Sequence, residues 1–393
     1  MQKINKVFIL GVNGFPFGTA RVEKLKLIGK SLAYNQIKVE FICNEWGYSK
    51  KGELPPKGHF GGIDYIYTSG STHRPGSFIG RRWIKFIGMV NEMKYLSKNQ
   101  CDAAIVSVMS GMFFPLFYYW LFARMKGYKL YYPHHEEPEV TLNRNNLYHR
   151  INLFLFNLLA WKMLDGAFPI SNYLAEKIKK KAPRLPLLKI PAIVDFDIFN
   201  NIKKTSDSIL QKYFMYCGSI VYYEVIEFVI EAFELVPDNE FELHLVISGS
   251  SAKKEKLHQR IEKSNKKQKI KVFENLDYDV LVKKYINASA LLIPLRDTIQ
   301  DKARLPHKIG EYTASGNVVI SNDIGDISFY FQHTENALIA DHYDVHEYAG
   351  MMEFVIHYPH EAREIGQAGY ETGLKVFNYK TYGELIKNFM QKN

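Results

Sequence analysis

Short runs of β-branched and aromatic residues alternate with longer stretches whose apolar residues fall at helical spacing. The strand candidates of the first half are KVFILGV, KVEFIC, AAIVSV, KLYYP and GAFPI. Those of the second half are FMYCG, ELHLVISG, KIKVFE, SALLIPL and NVVISN. Between them lie patterns such as RVEKLKLIGKSLAYN and EVIEFVIEAFELV, which read as helices with one apolar face. This alternation predicts parallel sheets covered by helices on both faces. The order starts afresh near residue 210, so the expected architecture is α/β with two doubly wound domains. The boundaries read from the sequence are 1–190 and 191–375, with 376–393 as a terminal helix packing back on the first domain. A linker is expected over PAIVDFDIF, Pro191–Phe199, and the polar stretch Asn200–Ser208. Ligands of such sheets gather at the carboxyl ends of the strands, which makes the cleft between domains the default site.

The stretch Ala103–Ala123 carries no charge and is long enough to span a bilayer. Ser107, Ser110, Gly111 and Pro115 interrupt it. A buried strand, AAIVSV, followed after a turn by a packed helix, FFPLFYYWLFA, is the better reading.

Composition adds a constraint. Of the residues, 47% are hydrophobic and 23% charged, which excludes a disordered chain. The net charge of +10 is unevenly spread: residues 1–190 carry 28 basic and 12 acidic side chains, and the remainder is net negative. An anionic partner is therefore expected on the first half. Cys43, Cys101 and Cys217 lie far apart with no metal-type spacing. With no secretory pattern in MQKINKVFIL, they read as reduced thiols of a cytoplasmic protein.

Three constellations carry chemistry. The loop Gly11-Val-Asn-Gly14-Phe-Pro-Phe-Gly18 follows a strand and precedes a helix, a place where backbone N–H groups can meet an anion. Its spacing does not match a dinucleotide fingerprint and Pro16 removes a donor, so a tight strand-to-helix turn stays open as its reading. His134-His135-Glu136-Glu137 follows strand KLYY and offers acid–base or hydrogen-bonding groups, with solvated loop histidines as the alternative. Its spacing is not that of a metal box, and no metal is expected. The third runs from Ile293 to Gly316. A strand ends at Leu295, a polar loop carries Arg296, Lys302 and Arg304, and a helix is expected to begin near Pro306. Arg304, His307 and Lys308 would lie near its N-terminus, suited to a phosphate, with Glu311 on the Lys308 face and a solvated salt-bridged face as the alternative for that pair.

With these residues in view, the second half resembles the donor domain of retaining GT-B glycosyltransferases of family 4, or glycosyltransferase group 1. The likeness is carried by FMYCGSIVYYEVIEFVIEAFELV, FELHLVISG, KIKVFENLDYDVLVKKYINASALLIPL and, most specifically, KIGEYTASGNVVISNDIGDI. The first half fits more loosely, through GVNGFPFGTA and the His-His-Glu loop. The resemblance implies two Rossmann-like domains facing a cleft, and transfer of a sugar from a UDP- or GDP-type donor to an acceptor hydroxyl with retention. It needs no metal and no cofactor beyond the nucleotide sugar. Surface polysaccharide or glycoconjugate assembly is the expected setting, with a saccharide or lipid-linked saccharide as acceptor.

By the same resemblance, Glu311 matches the second glutamate of the Glu, seven residues, Glu motif and would bind the ribose hydroxyls. Gly218 and Ser219 would lie near the diphosphate, Ser248 and Gly249 at the end of the next strand, and Leu276 in the segment that contacts the base. Gly14 and Gly18 would approach donor or acceptor, and His135 would touch the transferred sugar. The chain departs from the pattern in three places. Ser219 and Glu224 stand where Arg and Lys are usual, and Ala303 where the first motif glutamate would be. The expectation is that Arg304 and Lys308, beside His307, replace the missing cations, supported by Lys302 or Arg296.

Rival readings keep the fold and change the chemistry: a sugar-nucleotide-binding pseudoenzyme or partner subunit, or a sugar-nucleotide epimerase. A nicotinamide dehydrogenase is disfavoured by the glycine spacing. Nucleic acid is disfavoured because the aromatic residues read as buried rather than arrayed for stacking. An anionic membrane surface suits the basic first half better, through Arg81-Arg82-Trp83-Ile84-Lys85-Phe86 and the run Lys177–Lys181, with an ordinary solvated helix face as the alternative. That would place the protein peripherally on the inner face of the membrane.

Overall fold

Strand-and-helix alternation builds two parallel sheets in the computed structural model, which describes residues 3–18, 20–47, 54–138, 146–205, 211–237, 240–249 and 251–393. The first sheet contains β1 (Lys6–Leu10), β2 (Lys38–Cys43), β3 (Lys57–Phe60), β4 (Ile63–Tyr67), β5 (Ala103–Val106), β6 (Lys129–His134) and β7 (Gly166–Pro169). Their order is β3-β4-β2-β1-β5-β6-β7, and only the β3–β4 pair is antiparallel. The second sheet contains β8 (Tyr213–Ser219), β9 (Glu242–Ser248), β10 (Ile270–Phe273), β11 (Ala290–Leu292), β12 (Val318–Asn322) and β13 (Leu338–Ala340). It is parallel throughout, in the order β10-β9-β8-β11-β12-β13. Leaving aside the edge strand β3, both sheets are doubly wound in the same sense. In each, the chain order reverses beside the first strand, between β1 and β5 and between β8 and β11.

The chain divides into two units, Met1–Ile193 with Tyr379–Asn393, and Val194–Asn378. In the first, the helix Ala20–Tyr34 lays Val22, Leu25, Ile28 and Leu32 against the sheet, and the terminal helix Tyr379–Lys392 adds Tyr382, Ile386 and Met390 to the same core. In the second, the helix Tyr223–Leu235 buries Val225, Ile226, Val229, Ile230 and Phe233. Beside it packs the helix Val345–His357, whose N-terminus is capped by Asp344 Oδ1, accepting from His346 N and Glu347 N.

The ten strand candidates are all strands. Three strands go unread in the sequence: β3, β4 and the three-residue β13. The charge-free run resolves into β5, a turn and the helix Phe113–Lys126. No helix among the described residues is long and apolar enough to cross a membrane. The expected linker is otherwise: Phe196–Thr205 is a helix, because Phe196 and Phe199 are one turn apart and bury completely against the second unit. Residues 206–208, the end of that stretch, lie outside the described residues, as does Thr19 of the glycine loop.

Candidate functional site

At the reversal point of the second sheet, the loop after β11 folds back on the end of β8. The centre of this arrangement is Asp301, only 1% exposed. Its Oδ1 accepts from Arg304 Nη2 at 2.6 Å. Its Oδ2 accepts from Arg296 Nε at 3.0 Å and from the Arg296 backbone N–H at 3.1 Å. Both guanidinium groups lie over the ring of Tyr222, at 5.6 and 4.6 Å from its centroid, and Arg304 Nη1 donates to the Tyr222 hydroxyl at 2.8 Å. Two cations thus share one buried carboxylate. Arg304 Nε is buried without a hydrogen-bond partner, so the group retains an unused donor. Arg296 also reaches Glu224 Oε2 at 3.2 Å, and Lys302 pairs with Asp297.

The helix in this segment begins at Lys308, just past Pro306, with His307 at its cap. Residues Ile299–Ala303 form a short helix of their own, capped by Thr298, whose Oγ1 accepts from Asp301 N. Arg304 is therefore extended rather than helical, at φ −112° and ψ 143°. The burial of Asp301 explains this: its two arginine bonds close the Arg296–Arg304 segment on itself.

Lys308 and Glu311 form a second group. Lys308 Nζ donates to Glu311 Oε2 at 2.8 Å, and the Tyr278 hydroxyl donates to Oε1 at 3.2 Å. Burial works against the Lys308 ammonium, but the Glu311 carboxylate outweighs it and holds the lysine above its ordinary pKa. The same pairing overcomes burial at Glu311, whose carboxyl stays below the ordinary range. Glu311 is therefore an ionised, hydrogen-bond-accepting carboxylate with lone pairs to spare, the chemistry a diol requires. Leu276 precedes the helix Tyr278–Asn287 that supplies Tyr278 and is partly exposed.

The two turns beside these groups are aligned by register, Gly218 with Ile247 and Ser219 with Ser248. Gly218 leaves room for the Tyr216 hydroxyl, and Ser219 Oγ caps the following turn by accepting from Val221 N at 3.3 Å. Gly249 has φ +126°, and a Cβ there would come within 2.5 Å of Ile220 Cγ2. Gly249→Val is accordingly expected to destabilise the second unit by about 2–3 kcal/mol, from backbone strain and overlap together. Urea unfolding checks this, and wild-type stability would contradict it.

In the first unit, His135 lies at the carboxyl end of β6, and its Nδ1 is 3.0 Å from Lys24 Nζ. Lys24 is buried on the helix that follows the glycine loop, and burial depresses its pKa well below the lysine value. Neighbouring His134 is buried against Trp161, and its pKa falls to about 3, chiefly by burial. It stays neutral and packs as core. Gly14 has φ +101°, whereas Gly18 is required by packing: a Cβ there would lie 2.5 Å from Val22 Cγ2. The loop is also tied inward. Asn13 Nδ2 donates to Asn44 Oδ1 at 3.2 Å, and Asn44 Nδ2 donates to Glu92 Oε2 at 2.7 Å.

The structure thus brings together Arg304, Arg296 and Asp301, and separately Lys308, Glu311 and Tyr278. It pairs His135 with Lys24. Asp301, Tyr222, Tyr278 and Lys24 are absent from the sequence reading. A buried position on the inward stripe of an amphipathic helix is the one sequence signal that marks Lys24. Among the described residues no group of three or more His, Cys, Asp or Glu side chains could hold a metal ion.

Two doubly wound α/β units of this kind constitute the GT-B architecture of glycosyltransferases. Three solved structures share it over the full chain. Sucrose-phosphate synthase from Thermosynechococcus elongatus superposes with a TM-score of 0.75 at 15% identity, covering 99% of this chain and 98% of that one. HepE from Anabaena, solved with UDP and glucose, gives 0.70 at 12% identity, covering 99% and 100%. A glycosyltransferase from Rickettsia africae gives 0.66 at 14%, covering 100% of both. Residues 198–372, nearly the whole second unit, match the family model of glycosyl transferases group 1, and that unit is a domain of this family. No curated protein matches the chain by sequence.

Proposed function

We propose that the protein transfers a sugar from a UDP-sugar to an acceptor hydroxyl with retention of configuration, in surface polysaccharide or glycoconjugate assembly. The observation that carries this reading is the pair of groups at the carboxyl ends of β8 and β11, within a group 1 domain: two arginines around Asp301, and an ionised Glu311 held by Lys308. UDP rather than GDP is favoured because solved structures of like fold hold UDP and UDP-glucose. Glu311 would accept from the ribose hydroxyls. Arg304, Lys308 and the N–H groups opening the helix Lys308–Ser315 would meet the diphosphate, with His307, Gly218, Ser219, Ser248 and Gly249 around them and Leu276 toward the base. His135, its ring held by Lys24, is assigned to the transferred sugar.

As the anomeric C–O bond breaks, negative charge develops on the leaving diphosphate, and fixed cations stabilise it. The acceptor hydroxyl attacks the anomeric carbon, and its proton passes to the leaving phosphate. Positioning supplies the rest of the rate. The reading involves no metal and no further cofactor. The acceptor is a saccharide or lipid-linked saccharide, with an anionic membrane surface as the partner of the basic first half.

Arg304→Ala and Lys308→Ala test the reading by calorimetric titration with UDP. Each is expected to weaken binding by roughly 10- to 100-fold, the loss of one charge-assisted contact. Unchanged affinity in both would overturn the assignment. A second reading, binding without turnover, is favoured by one observation: Glu224 replaces a cation and itself engages Arg296. Detectable UDP-sugar transfer or hydrolysis eliminates it.

A further inference from the structure

Three helices of the first unit present apolar side chains to solvent where a covered sheet face would predict polar ones. They are Phe78–Lys98, Phe113–Lys126 and the helix beginning at Leu147, which runs through a π turn to Met163. The first is twenty-one residues long but buries only Gly88, Glu92 and Leu96. Its outward side carries Ile79, 80% exposed, and Trp83, 61% exposed, the latter stacked on Phe86. Phe117 and Met125 of the second helix and Phe154 of the third, 67% exposed, continue the apolar surface.

The helices adjoin one another. Glu92 of the first accepts from Tyr118 and Tyr119 of the second. Phe114 of the second donates its N–H to Asn152 of the third at 3.0 Å and stacks on Tyr148 at 6.0 Å. An exposed apolar surface of this extent marks an interaction site.

Charge decides the occupant. Across all three helices the single acidic residue is Glu92, which is buried, while Arg82, Lys94, Arg124, Arg150 and Lys162 are exposed. Two copies docked through this face would oppose like charges. Glu45 and Asp165 pair with Lys85 and Arg124 at the margin, but the exposed charges of the helices themselves are all cations. A surface of large aliphatic and aromatic residues with such cations fits the boundary between anionic headgroups and acyl chains.

We propose that these three helices form a membrane-docking face that inserts apolar side chains into an anionic bilayer, rather than resting on it by charge alone. The proposal takes from the functional reading only that an anionic membrane is the partner; the donor site plays no part in it.

Co-sedimentation with phosphatidylcholine vesicles, with and without phosphatidylglycerol, tests it. Binding is expected only with phosphatidylglycerol, and high salt should weaken it without abolishing it. Ile79→Glu with Trp83→Glu should reduce vesicle binding roughly 10-fold or more. Phe154→Glu, on a different helix, should reduce it independently. All three side chains are exposed, so thermal unfolding and UDP affinity should match wild type. Full release by salt, or binding unchanged in these variants, would overturn the proposal. So would a concentration-dependent dimer that the same variants dissociate. Binding to RNA in place of vesicles would do the same. UDP titration of the same preparations separates the two readings: UDP binding without vesicle binding sinks the membrane partner and leaves the sugar transfer standing, and the converse sinks only the sugar transfer.

Discussion

Asp301→Ala is expected to cost the second unit about 3–5 kcal/mol and to abolish UDP binding in whatever remains folded. Asp301 is almost completely buried and accepts from Arg304, from the Arg296 guanidinium and from the Arg296 backbone. Without it, Arg304 is left beside the Tyr222 ring with no counter-charge, and Arg296 keeps only the exposed Glu224. Domains of ordinary size hold roughly 5–15 kcal/mol in total, so the loss is a large share. Urea unfolding measures it directly. Combining Asp301→Ala with Arg304→Ala should recover part of the loss, since one stranded charge is then removed, and a double-mutant cycle reads that coupling. Wild-type stability in Asp301→Ala would mean that solvent already satisfies both arginines and that the carboxylate organises nothing.

The second large effect depends on pH. Glu92 is buried to 0% exposure and surrounded by donors, Asn44 and the hydroxyls of Tyr118 and Tyr119. Burial pushes its pKa from 4.5 up to about 7 despite them. The folded state therefore binds a proton more tightly than the unfolded chain does. The stabilisation this provides is complete below about pH 4.5 and is lost as pH rises through about 7, a change of roughly 3 kcal/mol across the window. Glu92→Gln keeps the shape and does not ionise. The stability difference between wild type and variant should shift by that amount, in favour of the variant, between acidic and mildly alkaline buffer. Parallel pH profiles would show that Glu92 ionises in the folded protein as readily as in the unfolded chain. Through Asn44 and Asn13 the same network supports the glycine loop.

Much of the fold is legible in the sequence because parallel strands buried on both faces read as continuous apolar runs. β8 and β12 are of this kind. β4 is not: Ile63, Tyr65 and Tyr67 are buried while Asp64 and Ile66 are only partly so, and the short alternation carries little signal. β13 contributes three residues, too few to register. Phe196–Thr205 reads as linker because its apolar residues are few. What makes it a helix is the pocket that receives Phe196 and Phe199, and that pocket is built by distant segments. The site divides along the same line. Arg304, Lys308 and Glu311 can be located from one stretch of chain, and helix spacing relates the last two. Asp301 stands in that same stretch, but its value lies in a contact with two arginines at once, and a carboxylate in a polar loop looks solvated until its burial is known. Tyr222 and Tyr278 arrive from other turns of the sheet, and Lys24 meets His135 across more than a hundred residues.

The terminal helix Tyr379–Lys392 completes the core of the unit that contains β1. On the ribosome, residues 194–378 are made between the two parts of that unit. At ordinary synthesis rates this interval is roughly 10–40 s. During it, the stretch of helix around Ser31 and Asn35 that later meets Gly383, and the Tyr131 ring that later meets Phe389, stay uncovered. The unit that is begun first is thus finished last, and the group 1 domain has time to form as a complete insertion within an open partner.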